Sequence, residues 1–296
     1  APFSPHFLTA LMPVSDPIML IESHFHAPWW ARNPHLQTIL PKWLRRSPAR
    51  FVAERFELAD GDFVDLAWSG DIHQNAQPLM VLFHGLEGSI HSHYAKGLFA
   101  HLQRQGDEAV LMHFRGCNGK PNKLPRAYHS GDTADVATVL HEITQRFPGR
   151  QLVAVGYSLG ANVLLKYCGE NNGHNLLSAA VAVCPPLDLS ACASRINQGS
   201  SRIYQRYLLG RLKRSTLLKL KQFPDFPIPL TPRKVRRLSS IEQFDELYTA
   251  PIHGFLNAQD YYQKASGKAF LRHICVPTLI IHAKDDPFLS DEVIPK

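Results

Sequence analysis

The stretch VAVGYSLGANVLLKY, residues 153–167, sets a serine between two glycines, Gly156-Tyr157-Ser158-Leu159-Gly160, straight after an apolar run and straight before a helical pattern. The chemistry this spacing suits is nucleophilic attack. A serine held on a sharp strand-to-helix turn stands clear of the sheet, and the helix that follows aims free N–H groups at the negative charge the attack creates. Side chains at Gly156 and Gly160 would collide with neighbouring backbone in such a turn. The five-residue pattern alone is a weak signal in 296 residues; its placement between LVAV and ANVLLKY gives it weight.

An attacked carbonyl needs donors for its developing oxyanion. The N–H of Leu159, next after the serine, is one. The second is expected from the loop after an earlier strand, and LMVLFHGLEGS supplies it. There His84-Gly85 ends an apolar run and Leu86 offers its N–H, with Gly85 and Gly88 letting backbone approach a substrate closely. His84 itself is expected to hold that loop rather than act as a base. A carboxylate that orients a histidine should follow a late strand in the order Ser…Asp…His. PTLIIHAKDDPFLS provides Asp285 and Asp286. Asp286, directly before Pro287, is the choice and Asp285 the alternative.

The histidine itself is missing from that order, because PFLSDEVIPK after Asp286 contains none. The expectation is that the natural chain continues and carries the base there. Upstream substitutes to weigh are His84, His113, His129, His253 and His282.

Elements must position these groups. FVAERFELADGDFVDLAWSG reads as two strands joined by an Asp-Gly turn. Strand and helix patterns then alternate three times, from LMVLFHG through HYAKGLFAHLQRQG, EAVLMHFRG, DTADVATVLHEITQRF, QLVAVGYS and LGANVLLKYCGE to SAAVAVCPP. Apolar strands between helices imply a parallel sheet covered on both faces. From Leu187 to about Gly267 the text is helical, polar and broken by prolines, and VPTLIIHA then restores a strand. The division expected is an α/β core in two parts, 1–186 and 268–296, with a helical cap inserted at 187–267. The N-terminal stretch up to PKWLRRSPAR reads as irregular.

Composition fits a large α/β domain, with 45% hydrophobic and 19% charged residues. The formal net charge is +7, and eleven Lys and Arg between Arg202 and Arg237 face only Asp225 in that segment. That cluster is a solvated helical face, a site for an anionic substrate, or a surface for acidic lipid headgroups. Five cysteines without CxxC pairing or regular spacing suggest neither zinc nor disulfides, which reads as a cytoplasmic protein. No run approaches the apolar length of a membrane span, and no signal peptide is evident. Gly116-Cys117-Asn118-Gly119-Lys120 lacks P-loop spacing, and the pairs His24/His26 and His91/His93 lack a zinc pattern. Nothing resembles a nucleic-acid module.

With NPHLQTILP, DGDFVDLAW, FHGLEGS, HFRGCNG, YHSGDTAD, GYSLGAN and IIHAKDDPF spread over nearly the whole chain, the sequence resembles the family of α/β-hydrolases that includes the bacterial YheT-type hydrolases and animal ABHD-type proteins. The resemblance implies the α/β-hydrolase fold and a serine hydrolase with Ser158 as nucleophile and Asp286 as charge-relay acid. It implies small-molecule or lipid carboxylic esters as substrates, and it leaves the particular ester open. No cofactor or metal is expected, no nucleic acid, and peripheral contact with an acidic membrane surface is one expectation for the basic cluster. The rival reading is a hydrolase fold that has lost catalysis and serves as a binding protein.

Overall fold

The computed structural model describes residues 19–21, 23–44, 48–70, 72 and 77–289. Among the described residues seven strands form one sheet in the order β1-β2-β4-β3-β5-β6-β7. β1 (Val52–Glu57) and β2 (Phe63–Trp68) are the hairpin expected around Asp-Gly, paired antiparallel with Phe56 opposite Val64. β2 runs antiparallel to β4 (Ala109–Met112), and from there β3 (Leu79–Phe83), β5 (Leu152–Tyr157), β6 (Ala179–Val183) and β7 (Thr278–Ile281) are parallel.

The central strands are apolar throughout because both faces are covered. Along β3, Val81 and Phe83 join a core with Val136, Leu140 and Ile143 of α3 (Ala134–Arg146) and Leu164 and Tyr167 of α4 (Leu159–Glu170). Leu82, on the opposite face, packs with Ala95, Phe99 and Leu102 of α2 (His93–Gln105). The two-residue period of the strand thus divides its side chains between two helical layers. β7 is the last described strand on its side of the sheet, and Leu279 and Ile281 on it are exposed.

Between β6 and β7 the chain is helical: α5 (Leu189–Ile196), α6 (Arg202–Gln222), α7 (Pro232–Arg237), α8 (Ile241–Phe244), a π-turn at Asp245–Thr249, α9 (Ala250–Ile252) and α10 (Ala258–Ala265). Leu209, Leu212, Leu230, Val235, Leu238, Phe244 and Tyr248 give this cap a core of its own, against which Leu86 and Ala127 of the sheet domain pack.

One expectation fails at the N-terminal side. Pro34–Leu44 is an α-helix, α1, rather than irregular chain. Pro41 inside it disguises the pattern, since proline normally ends a helix. α1 is held on α6 by hydrogen bonds between His35 Nδ1 and the Tyr204 hydroxyl (2.9 Å) and from Lys42 Nζ to the Tyr207 hydroxyl (3.1 Å).

Candidate active site

Ser158 follows β5 and precedes α4 with φ 51° and ψ −117°, a backbone state that costs a non-glycine residue on the order of 1–3 kcal/mol. Its surroundings hold it there. Its N–H donates to Val183 O on β6 (2.8 Å), and its carbonyl accepts from Ala161 N–H (2.9 Å) and Asn162 N–H (3.1 Å). A Cβ at Gly156 would lie 2.5 Å from Ala161 Cα, and one at Gly160 would lie 2.5 Å from the carbonyl oxygens of Phe83 and His84. The glycines are therefore the contact between elbow, helix and β3, and the side chain of Ser158 is left exposed.

The loop after β3 meets the elbow directly, since a Cβ at Gly85 would be 3.3 Å from Ser158 Cβ and from Tyr157 O. Gly88 has a different reason from the one the sequence suggests. Its missing side chain makes room for the Tyr94 hydroxyl, 2.7 Å from where a Cβ would sit, rather than for a ligand. Counting donors around this turn is informative. Gly85 N–H goes to Tyr94 Oη (2.9 Å), Glu87 N–H to Tyr128 Oη (2.7 Å) and Gly88 N–H to Gly85 O (2.8 Å). Among the described residues no acceptor takes the N–H of Leu86 or of Leu159. Leu86, Leu159 and Ser158 all line one cavity of about 440 Å³ between the sheet domain and the cap.

Asp286 lies in the loop after β7, which is two strands from β5 across β6. Its Oδ1 accepts from Phe288 N–H (2.8 Å). Burial raises the carboxyl's pKa, opposed by that N–H and by the Cys184 thiol. Asp285 is exposed, so the two acids differ in setting. The loop is fastened to the cap, as Ser201 Oγ donates to Pro287 O (2.6 Å) and the Tyr204 and Phe288 rings lie 4.7 Å apart.

The upstream histidines have other occupations. His84 is fully buried, with Nδ1 bonded to Gly85 O (2.7 Å) and Nε2 accepting from Phe114 N–H (3.1 Å), which fixes it as a neutral loop holder. Burial pushes its pKa down to about 3. His113 bonds Asp65 O through Nδ1 (3.0 Å) and accepts from Ile90 N–H through Nε2 (3.2 Å). His129 accepts from Gly131 N–H (3.1 Å) and faces His253 of the cap with ring centroids 4.6 Å apart. Burial lowers these two to about 3 and about 2. His253 Nε2 and both nitrogens of His282 are buried without a partner. None of the five is hydrogen-bonded to Ser158 or Asp286.

Three quoted motifs also carry scaffold contacts. Arg115 of HFRGCNG is buried and makes a two-pronged bond through Nε and Nη2 to Asp135 of YHSGDTAD (2.6 and 2.7 Å), with Nη1 shared between Asp60 (2.8 Å) and Asp62 (3.0 Å) of the hairpin turn. Asn162 of GYSLGAN donates to Ser130 O (2.7 Å) and Ala265 O (2.8 Å) and accepts from Gly267 N–H (2.8 Å), which ties the elbow helix to the end of the cap. Sequence reasoning missed Glu87 and Tyr128, which also line the cavity. The available signal was a charged residue between two glycines in the turn after an apolar strand. It also took the basic segment as free charge throughout, whereas Lys219 is buried and donates from Nζ to the carbonyls of Asn122, Leu124 and Arg126. Among the described residues no cluster of three or more His, Cys, Asp or Glu is arranged to hold a metal ion.

Residues 78–296 match the family described as alpha/beta hydrolase fold. YheT of Escherichia coli (strain K12), which its name classes as an esterase, is 46% identical over 267 residues, covering 89% of this chain and 78% of that protein. A monoacylglycerol lipase of Saccharomyces cerevisiae is 31% identical over 74% of this chain and 50% of its own length. The mouse phospholipase ABHD3 is 25% identical over 95% of this chain and 70% of its own length. With the family match covering most of the chain and the mostly parallel seven-stranded sheet in place, the chain belongs to the α/β-hydrolase family, among the YheT- and ABHD-like proteins.

Proposed function

We propose that the protein is a serine hydrolase that cleaves carboxylic esters, short-chain or lipid, through an acyl-enzyme. Ser158 Oγ attacks the ester carbonyl, the N–H groups of Leu86 and Leu159 hold the oxyanion, and the alcohol leaves with a proton from a histidine base that Asp286 orients. Water then attacks the acyl-serine, returning the proton to the serine and releasing the acid. The chain order of this fold puts the histidine after Asp286. No cofactor takes part in these steps.

The observation that carries this reading is the strained elbow at Ser158 with two uncommitted N–H groups opening on the same cavity. Leu189, Ile196, Leu208, Leu212 and Phe244 of the cap supply an apolar wall suited to an acyl chain. The test is a fluorophosphonate serine probe and hydrolysis of p-nitrophenyl butyrate by the natural full-length protein. Labelling and hydrolysis are expected, and both are expected to vanish in Ser158→Ala. Wild-type hydrolysis by Ser158→Ala refutes the assignment. A folded wild-type protein that neither labels nor hydrolyses favours the non-catalytic binding protein.

The cap adds a membrane-facing role. Among the described residues none of the eleven cations from Arg202 to Arg237 lies in an ion pair; Lys219 is buried and Lys213 half-buried, and Ile203 and Tyr207 are exposed among the others. Unpaired cations interleaved with apolar side chains suit an anionic lipid surface. No described helix is long and apolar enough to cross a membrane. Five free thiols support a cytoplasmic placement.

A further inference from the structure

Glu87 is in an unexpected conformation for its type. The turn closed by Gly88 N–H on Gly85 O has Leu86 and Glu87 as its central residues, and Glu87 has φ +53° where glycine or asparagine is the ordinary occupant. The chain keeps a long acidic side chain at a position that disfavours it, and its contacts supply the reason. One carboxylate oxygen, Oε1, accepts from the Tyr128 hydroxyl (3.1 Å), whose oxygen in turn accepts from the Glu87 N–H (2.7 Å). The other, Oε2, accepts from the Ser215 hydroxyl (2.7 Å) on α6. The residue is only 9% exposed. Its neighbour Leu86 packs against the core of the sheet domain and that of the cap alike. Cap, sheet-domain loop and turn therefore meet in one buried carboxylate next to the peptide that presents Leu86 N–H.

We propose that Glu87 is a positioning residue that couples the seating of the cap to the orientation of the Leu86 N–H. With α6 docked, Ser215 and Tyr128 clamp both oxygens and keep the turn in its left-handed state, so the donor faces the carbonyl attacked by Ser158. With α6 displaced, Oε2 loses its partner and the turn relaxes away from that geometry. The enzyme is thereby most active when the cap is closed over an acyl chain. This inference rests on Leu86 N–H being an oxyanion donor.

The test is steady-state kinetics of the natural full-length protein on p-nitrophenyl butyrate for Glu87→Ala, Ser215→Ala, their double mutant, and Glu87→Gln. Removing an oxyanion donor lowers kcat about 100- to 1000-fold, and a misdirected one should cost less. Glu87→Ala is expected to lower kcat about 30-fold and Ser215→Ala about 10-fold, both below the cost of a removed donor, with KM changed less than about two-fold in each. The double mutant should be no slower than Glu87→Ala, as for two groups acting through one contact. Glu87→Gln, which still bonds both hydroxyls, should recover kcat to within about three-fold of wild type. A merely structural role lowers the melting temperature without this kcat-against-KM split. If Glu87→Ala fails to fold, Ser215→Ala decides alone. A kcat for Ser215→Ala within two-fold of wild type overturns the coupling, whereas full activity in Ser158→Ala overturns the serine reading beneath it.

Discussion

Replacing Asn162 by alanine removes three buried hydrogen bonds at once and leaves three backbone groups in two other segments without a partner: the carbonyls of Ser130 and Ala265 and the N–H of Gly267. Asn162 is fully buried, so water does not readily take its place. A stranded buried polar group costs about 1–3 kcal/mol. Partial relaxation of the 129–131 loop lowers the sum, and about 3–6 kcal/mol is expected against the roughly 5–15 kcal/mol that holds an ordinary domain folded. At about 2 °C per kcal/mol for a domain of this size, the melting temperature should fall by about 6–12 °C in scanning calorimetry. Because two of the three partners belong to the end of the cap, limited proteolysis should cut first near 265–267 in the variant. A fall below about 2 °C, with an unchanged cleavage pattern, would falsify the view that this side chain fastens cap to elbow.

Gly160→Ala puts a methyl 2.5 Å from two carbonyl oxygens of the β3 loop, and it should cost about 1–3 kcal/mol in stability and abolish fluorophosphonate labelling; retention of both defeats the steric argument. Ile241→Trp narrows the cavity and should depress hydrolysis of long acyl esters about 10-fold relative to p-nitrophenyl acetate, and an unchanged ratio means the acyl chain lies elsewhere. His129 and His253, held near 3 and 2 in the fold against 6.5 in the unfolded chain, leave the unfolded state binding more protons between those limits. Stability from these two is thus full above pH 6.5 and falls as pH drops toward 3. His253→Phe should flatten that acid limb in urea titrations between pH 7 and 4, and an identical slope refutes the assignment. Sedimentation with anionic vesicles should be strong at low salt and weak at high salt, at on the order of 1 kcal/mol per engaged Lys or Arg. Equal binding to neutral vesicles counts against the basic surface.

The alternation of apolar runs and helical patterns is enough to locate β3 to β7 and to place α4 on LGANVLLKYCGE: β3, β4 and β5 are buried on both faces and α4 nearly all round, and the more exposed β7 still reads as a short run rich in apolar residues. The steric logic of Gly156 and Gly160 was also readable, since it depends on a turn whose geometry is local. Strand order was not. The placement of β4 between β2 and β3 is decided by contacts distant in sequence. α1 escaped because Pro41 mimics a helix end, and Lys219 because a lysine in a basic run shows nothing of the carbonyls that will surround it. Glu87 and Tyr128, 41 residues apart, carry no mutual signature at all.

The grip of the cap on the 122–126 loop has a consequence for how the sequence of that loop can drift. Lys219 and Gln222 both reach the carbonyl of Asn122, Lys219 continues to those of Leu124 and Arg126, and the Tyr248 hydroxyl donates to Pro125 O. Every one of these bonds ends on main chain, which is the same whatever side chain a mutation installs. Leu124 is accordingly free to vary with the cap still anchored, whereas Arg126 is bound by its ion pair to the buried Asp132. A lineage can change the side chain at such a contact while the cap stays anchored.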